Sequence, residues 1–449
     1  MFTRNKIALA VGAIALASSG VAAARGAVKI YGGGATLPAI AYVGTSWSNS
    51  NPDSRLTSIP DAGSLFAQVA SSVTASYCQT GSGTGRKVLI GGQTTTFNGV
   101  TYPIEADGNC PAFGDTVTPV NGFAAPVGQL DTNFAASDAP MSSSEYTTFL
   151  ANQAEHIEPV QLPAIVGSVA IEYNNADVTS TLNLTDAQIC GIFDGQINNW
   201  SQLGFPAKPI TVVYRSDSSG TTFSFTNHLA KVCNSSALIY NTNSTFASAY
   251  FTGYALPAGA VGKSGNPLVA TTIPTIDGAI GYAEYADAKL ELTNLGLPVT
   301  VATVNGFSPA TPSASFLSNA AVLKADSVLA STNQANGQPA VVTLASLGVT
   351  PAVANCLYLI DPASYATSTT SYPIVAVSNL LASQKVQTVG TSTTTVYKTV
   401  QALMKAPYNT TYQTNVLAGS FGAGYAFLPS ANGQVGKTLN GRVAKCVVQ

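Results

Sequence analysis

The chain has 449 residues, of which 46% are hydrophobic and only 9% charged. That apolar content can bury a large core and excludes a disordered chain, and the length suggests two or more domains. With 19 Lys and Arg against 21 Asp and Glu the formal net charge is −2, which argues against nucleic acid or an anionic membrane as partner. Any anion must be held by local geometry, not by bulk charge.

The first residues read as a secretory signal peptide. Arg4 and Lys6 precede an apolar run from Ile7 to about Ser18, and Val21-Ala22-Ala23-Ala24 fits a small-residue cleavage site, placing the cut near Ala24. The run is too short to span a bilayer and no later segment has the unbroken apolar length. The expectation is an exported protein, periplasmic or extracellular, without membrane insertion. Loss of residues 1–24 leaves 17 bases against 21 acids, a net charge of −4. The six cysteines, Cys78, Cys110, Cys190, Cys233, Cys356 and Cys446, are an even set in an exported chain and point to disulfides. Sequential pairing is expected (78 with 110, 190 with 233, 356 with 446), because each pair brackets one local unit. No C-x-x-C spacing occurs, and only His156 and His228 supply imidazoles, so a zinc site is not expected, and no cofactor is expected either.

In chain order, residues 28–31 read as a short strand and 32–37 as a small-residue turn. Pro38 suits a first helical position, and Ile40, Tyr42, Val43 and Trp47 give an apolar helical face. Residues 77–85 form another small-residue turn. Its glycines suggest a nucleotide loop, but the Walker spacing is absent and no clear amphipathic helix follows. Residues 86–130 are rich in Gly, Thr and Pro, with strand-like stretches at 87–90 and 100–102, and read as a disulfide-tied β insertion. Residues 134–140 lead into Ser142-Ser143-Ser144-Glu145, a capping box that starts a helix. Asp138 stands just ahead of it, where the ordinary reading is a turn or cap carboxylate. Residues 160–173 are a long apolar run that fits a strand passing between domains, and Thr185-Asp186-Ala187-Gln188 caps the next helix.

The most informative segment follows the strand-like residues 210–214. Arg215 through Phe223 are small, hydroxyl-rich and glycine-containing, and Phe225, Leu229 and Val232 then share one helical face. Helix starts present unpaired N–H groups and a partial positive charge. Ser218, Ser219 and Thr221 add hydroxyls, Gly220 permits close backbone approach, and Arg215 offers a planar cation suited to an oxyanion. An ordinary capped turn beside an arginine is the plainer alternative. Beyond it, residues 278–285 read as a buried strand, 315–329 as a helix, 372–377 as a strand returning to the first domain, and 400–404 as helical. Alternating strands and helices indicate an α/β architecture.

Several of these segments together resemble the phosphate-binding protein of the bacterial phosphate ABC transporter. They are Gly34-Ala35-Thr36-Leu37-Pro38, Gly81-Ser82-Gly83, Ala136-Ser137-Asp138-Ala139-Pro140, residues 184–200, residues 215–223 and residues 278–285, in the family's order and spanning most of the mature chain. The opening also resembles the DING branch, with Tyr31 where that branch's motif has Asn. The resemblance implies a two-lobed periplasmic-binding-protein fold of type II with hinge strands. The leader would be residues 1–24, lobe 1 residues 25–165 and 373–449, and lobe 2 residues 166–372. It further implies that Thr36, Leu37, Ser82 and Asp138 contact inorganic phosphate from one lobe, and Arg215, Ser219, Gly220 and Thr221 from the other. Asp217 would fix Arg215 by a salt bridge, and Asp138 would demand a ligand that carries a proton. The implied protein is a monomeric, non-catalytic binding protein that delivers phosphate to an ABC transporter permease.

The chain departs from the family in a longer Ser82-to-Asp138 spacing, in extra residues at about 290–373, in Leu37 where many members have an aromatic residue, and in Gly83-Thr84-Gly85. The alternatives are an exported phosphatase or phosphoesterase on the same scaffold, and a secreted interaction protein that has lost its ligand.

Overall fold

The computed structural model describes residues 28–47, 55–69, 73–91, 94–97, 100–103, 132–235, 237–386 and 393–449. The expected leader, Cys110 and most of the expected insertion lie outside the described residues.

β1 (Val28–Gly34) ends in the turn from which the short α1 (Ala39–Val43) starts, and β2 (Leu56–Thr57), β3 (Val73–Gln79) and α2 (Ser82–Ile90) follow. α2 corrects two expectations: a helix does follow the glycine-rich turn, and residues 87–90 are its last turn and not a strand. Its first turn, Ser-Gly-Thr-Gly, has poor helix propensity, which hides it in the sequence. Packing is what sustains it. Val88, Leu89 and Ile90 are buried, and a Cβ on Gly85 would lie 2.6 Å from Gly34 Cα, so glycine is what lets the helix sit against β1. β4 (Thr94–Phe97) and β5 (Val100–Pro103) form an antiparallel hairpin, the described part of the expected β insertion.

β6 (Phe134–Ser137) precedes α3 (Ser143–Asn152), whose capping box between Ser142 and Glu145 forms as expected. β7 (Pro159–Tyr173) is buried at all 15 positions, which is why it reads as a continuous apolar run without alternation. Then come β8 (Asn183–Leu184), α4 (Asp186–Phe193), β9 (Thr211–Arg215), α5 (Gly220–Cys233), β10 (Val261–Lys263), α6 (Asn266–Thr272), β11 (Ala279–Glu284), α7 (Tyr285–Asn294) and β12 (Thr303–Val304).

The helix expected at 315–329 is absent. Two short 3-10 turns lead instead into β13 (Leu323–Ala325) and β14 (Ser327–Leu329), separated by Asp326 at a φ of 43°. β14 pairs with β15 (Val341–Thr343) and β13 with β16 (Tyr358–Ile360), so long-range ladders override the local alanine-rich helix preference. β17 (Val375–Ser383), α8 (Thr393–Lys405), α9 (Thr410–Ala418), β18 (Tyr425–Phe427) and α10 (Val435–Cys446) complete the chain.

A ten-stranded mixed sheet runs β10-β9-β11-β7-β17-β6-β1-β3-β2, with β18 on β7. β7 pairs antiparallel with β17 through residues 159–168 and with β11 through 169–173, so this one strand runs through both halves of the molecule. Its register against β17 shifts between Ser378 and Asn379. One lobe holds the parallel group β3-β1-β6, the other the parallel group β10-β9-β11. β7 and β17 join them as the hinge strands of a two-lobed α/β fold. Disulfides Cys190–Cys233, fastening α4 to α5, and Cys356–Cys446, fastening α10, match the expected pairing. Cys78 is also disulfide-bonded. Among the described residues no helix is long and apolar enough to cross a membrane.

Candidate anion-binding site

Parallel strands end in turns that open helices, and in open α/β sheets such carboxyl ends are where ligands bind. Each residue singled out in the sequence lies at one of these ends. Thr36 and Leu37 follow β1, Ser82 opens α2 after β3, Asp138 follows β6, Arg215 ends β9, and Ser219 to Thr221 open α5.

The β1 turn is fixed by tyrosines: Tyr77 Oη donates to the Ala35 carbonyl and Tyr425 Oη to the Leu37 carbonyl, each at 2.6 Å. Leu37 packs its side chain against Gly167 of β7, where a Cβ would lie 2.5 Å away. An aliphatic residue is therefore accommodated by the hinge strand, and the Leu37 main chain is what the turn presents. Gly81, at φ 85°, starts α2 and aims its first turn across the cleft, with its Cβ position 3.3 Å from the Ser218 carbonyl oxygen.

Asp138 is 1% exposed. Ser82 Oγ donates to its Oδ2 at 3.3 Å and accepts from its backbone N–H at 3.1 Å. Oδ1 has no hydrogen-bond partner among the described residues. Burial pushes this carboxyl up to about 6, against the pull of the nearby Ser378 hydroxyl (itself without a hydrogen-bond partner), the Ser82 hydroxyl, and the charges of Arg215 and Arg86. Arg86 stands behind the Asp138 turn. Its Nε bonds Glu145 at 2.8 Å, and its Nη1 bonds Ser137 Oγ at 2.6 Å and the Ala139 carbonyl at 3.3 Å.

From the other lobe, Arg215 is 1% exposed. Asp217 receives it bidentately, Nε to Oδ1 at 2.7 Å and Nη2 to Oδ2 at 2.5 Å. Burial would raise the Asp217 carboxyl, but the guanidinium outweighs it and holds Asp217 below the usual carboxylate range. Ser219 is the N-cap of α5, its hydroxyl accepting from Thr222 N–H at 3.1 Å. Gly220 and Thr221 occupy the first helical positions, whose N–H groups have no intrahelical acceptor.

The lobes meet at Gly220. A Cβ there would lie 2.4 Å from Ser82 Oγ and 2.6 Å from Asp138 Cβ. The structure thus brings Thr36, Ser82, Asp138, Arg215, Gly220 and Thr221 to one junction, with Asp217 and Ser219 supporting it. Sequence reasoning missed two residues that link the lobes, Asn266 at the junction and Arg55 through α7. Asn266, the first residue of α6, accepts from Arg215 Nη1 at 2.6 Å and donates to Thr36 Oγ1 at 2.9 Å. Arg55 pairs with Asp287 at 3.3 Å and with Glu291 on α7, and lies 5.1 Å from the Trp47 ring centroid. The run Gly265-Asn266-Pro267 after a short strand repeats the strand, small-residue turn and helix pattern of the other corners and was the available signal for Asn266.

Chemically, the junction is rich in donors, with one cation already neutralised by Asp217 and one buried carboxylate. That set suits a small oxyanion able to supply a proton. His228, inside α5, faces elsewhere: Nδ1 is 2.9 Å from the Ala366 carbonyl and Nε2 is 3.3 Å from Asp186. A separate cavity of about 140 Å³, lined by Ile40, Ala286, Leu290 and Phe421 among others, contains none of the candidate anion ligands.

Residues 17–376 match the family model described as a PBP superfamily domain. Alkaline phosphatase L of Pseudomonas aeruginosa is 32% identical over 313 residues, covering 69% of this chain and 67% of that protein. Phosphate-binding protein PstS 3 of Mycobacterium leprae is 31% identical over 219 residues, 45% of this chain and 55% of that protein. Among solved structures, a high affinity periplasmic phosphate-binding protein (PfluDING) bound with phosphate superimposes with a TM-score of 0.60 at 24% identity, covering 94% of this chain and 99% of that one. A phosphate-binding protein from Stenotrophomonas maltophilia gives a TM-score of 0.58 at 24% identity, covering 92% and 94%. At this identity the superpositions speak for the fold alone. The chain belongs to the PBP superfamily, with the two-lobed type II periplasmic-binding-protein fold.

Proposed function

We propose that this protein captures inorganic phosphate between its two lobes and delivers it, as an exported monomer, to an ABC transporter permease for uptake. The lobes would comprise residues 25–165 with 373–449, and residues 166–372. The observation that carries the reading is Asp138, a buried carboxylate with an unpartnered oxygen set among helix starts and hydroxyls that donate. Phosphate near neutral pH keeps a proton for that oxygen, whereas sulfate does not. Closure by the hinge strands would bring the two sets of donors onto one ligand. Relatives named phosphate-binding protein support the same reading.

The test is a calorimetric titration of protein stripped of ligand by unfolding and refolding with its disulfides intact, using phosphate at neutral pH with and without excess sulfate. Tight one-to-one binding that sulfate does not disturb is expected. The absence of heat from folded, stripped protein overturns the proposal.

A second reading, a phosphoesterase, is favoured by the relatives named alkaline phosphatase L. It predicts sustained turnover of a chromogenic phosphoester. The binding reading predicts none.

Gly220 offers a sharper check on lobe contact. Gly220→Ala places a methyl against Ser82 and Asp138. Overpacking of this kind costs about 1–3 kcal/mol, so phosphate affinity should fall about ten- to a hundredfold.

A further inference from the structure

Asn266 is fully buried at the first position of α6, where Gly265 at φ 78° precedes it as N-cap and Pro267 follows. Its amide orientation is fixed by chemistry. A guanidinium can only donate, so the oxygen must face Arg215 Nη1, 2.6 Å away, and the NH2 group must face the other way. That NH2 group donates to Thr36 Oγ1 at 2.9 Å and to Thr221 Oγ1 at 3.4 Å. These hydroxyls come from opposite lobes and are 5% and 1% exposed. A hydroxyl that accepts one hydrogen bond still has its own hydrogen to give. Among the described residues neither hydroxyl has a protein acceptor for it.

We propose that Asn266 is a positioning residue that sets the hydrogen-bond polarity of the site, turning the Thr36 and Thr221 hydroxyls into donors toward bound phosphate. The inference rests on the phosphate reading above. It assigns the selection of an oxyanion, rich in acceptors, partly to a residue that need not touch it. The same amide holds the Arg215 guanidinium on the side away from Asp217, so one group orders donors of three kinds across the two lobes.

The test is a double-mutant cycle read by phosphate calorimetry at pH 8, with melting temperatures recorded to establish folding. Asn266→Ala and Thr36→Val should each weaken binding about tenfold or more, and the double variant should be little worse than Asn266→Ala alone, because the Thr36 contribution already depends on Asn266. Asn266→Asp keeps the shape and the acceptor for Arg215 but replaces the donor by an acceptor, and because it also faces the buried Asp287 carboxyl, whose charged form the Asn266 amide favours, binding is compared only where the melting temperature shows both variants folded. It should bind phosphate more weakly than Asn266→Ala, by about tenfold. A space-filling role predicts the reverse order, with the isosteric aspartate nearer to wild type, and additive effects in the cycle. Either of those results overturns the inference while leaving the phosphate reading intact. Failure of the wild-type protein to bind phosphate removes both.

Discussion

Replacing Arg215 with Met should reduce phosphate affinity by at least about a thousandfold, since truncating one partner of a buried, hydrogen-bonded charge pair costs roughly 2–5 kcal/mol and the anion loses its own contact as well. The guanidinium is 1% exposed and held on three nitrogens, two by Asp217 and one by Asn266. Removing it does more than delete a donor. It leaves Asp217 uncompensated beside an incoming anion. The double variant Arg215→Met with Asp217→Asn should therefore recover about tenfold in affinity over the single variant, although it restores no cation. Calorimetric titration of the three proteins decides this. Equal affinity of the single and double variants would mean that Asp217 does not reach the ligand electrostatically.

The ion pair also predicts a pH dependence of stability. The Asp217 carboxyl is held below its ordinary value once burial and the Arg215 charge are set against each other. A depressed folded-state value means that the pair stabilises the protein above the ordinary carboxylate value, about 4, and that this is lost as pH falls through the lowered one. The stability gap between wild type and Arg215→Met, taken from denaturant unfolding, should be widest near neutral pH and close below about pH 4.

The corners that make the site were legible in the sequence where a full strand, a small-residue turn and an apolar helix face follow one another. That is the case at Arg215 to Thr221, where the strand burial and the apolar face of α5 are both strong. It fails at α2, because the glycines that allow Gly85 to sit on Gly34 also erase the helical signal. It fails again at Asn266, which follows a strand of only 3 residues, none of them buried, and whose partner Thr36 lies 230 residues away. No local pattern reports a hydrogen bond across that separation. The misplaced helix at 315–329 has a related cause: alanine and serine suggest helix locally, but β15 and β16 supply partner strands that only the tertiary fold brings near. The role of Asp138 is intermediate. Its position ahead of a capping box reads as a turn residue, and what sets it apart, the Ser82 hydroxyl and the abutting Gly220, comes from segments 56 residues and more away.

Asp138→Asn should convert the site from one that rejects sulfate to one that accepts it. In the wild-type protein a fully ionised oxyanion would face a buried carboxylate with no hydrogen between them, a penalty of several kcal/mol, or roughly a thousandfold. An amide at 138 can turn its NH2 group toward the ligand, so sulfate should bind at least about a hundredfold more tightly to the variant than to wild type. Phosphate should lose about tenfold, the worth of one charge-assisted hydrogen bond. Persistent rejection of sulfate by the variant would place the filter elsewhere among the donors. The ligand-free protein gives an independent reading. Burial raises the Asp138 carboxyl to about 6. A raised folded-state value means the neutral form is favoured in the fold, so stability from this group is complete below the unfolded value near 4 and is lost as pH rises through 6. The asparagine variant keeps a neutral group at every pH. It should therefore be more stable than wild type at pH 8, by up to roughly 3 kcal/mol, with the advantage fading as pH falls from 6 toward 4. On the phosphate reading, the charge that lowers stability at pH 8 is the same one that would select a protonated ligand.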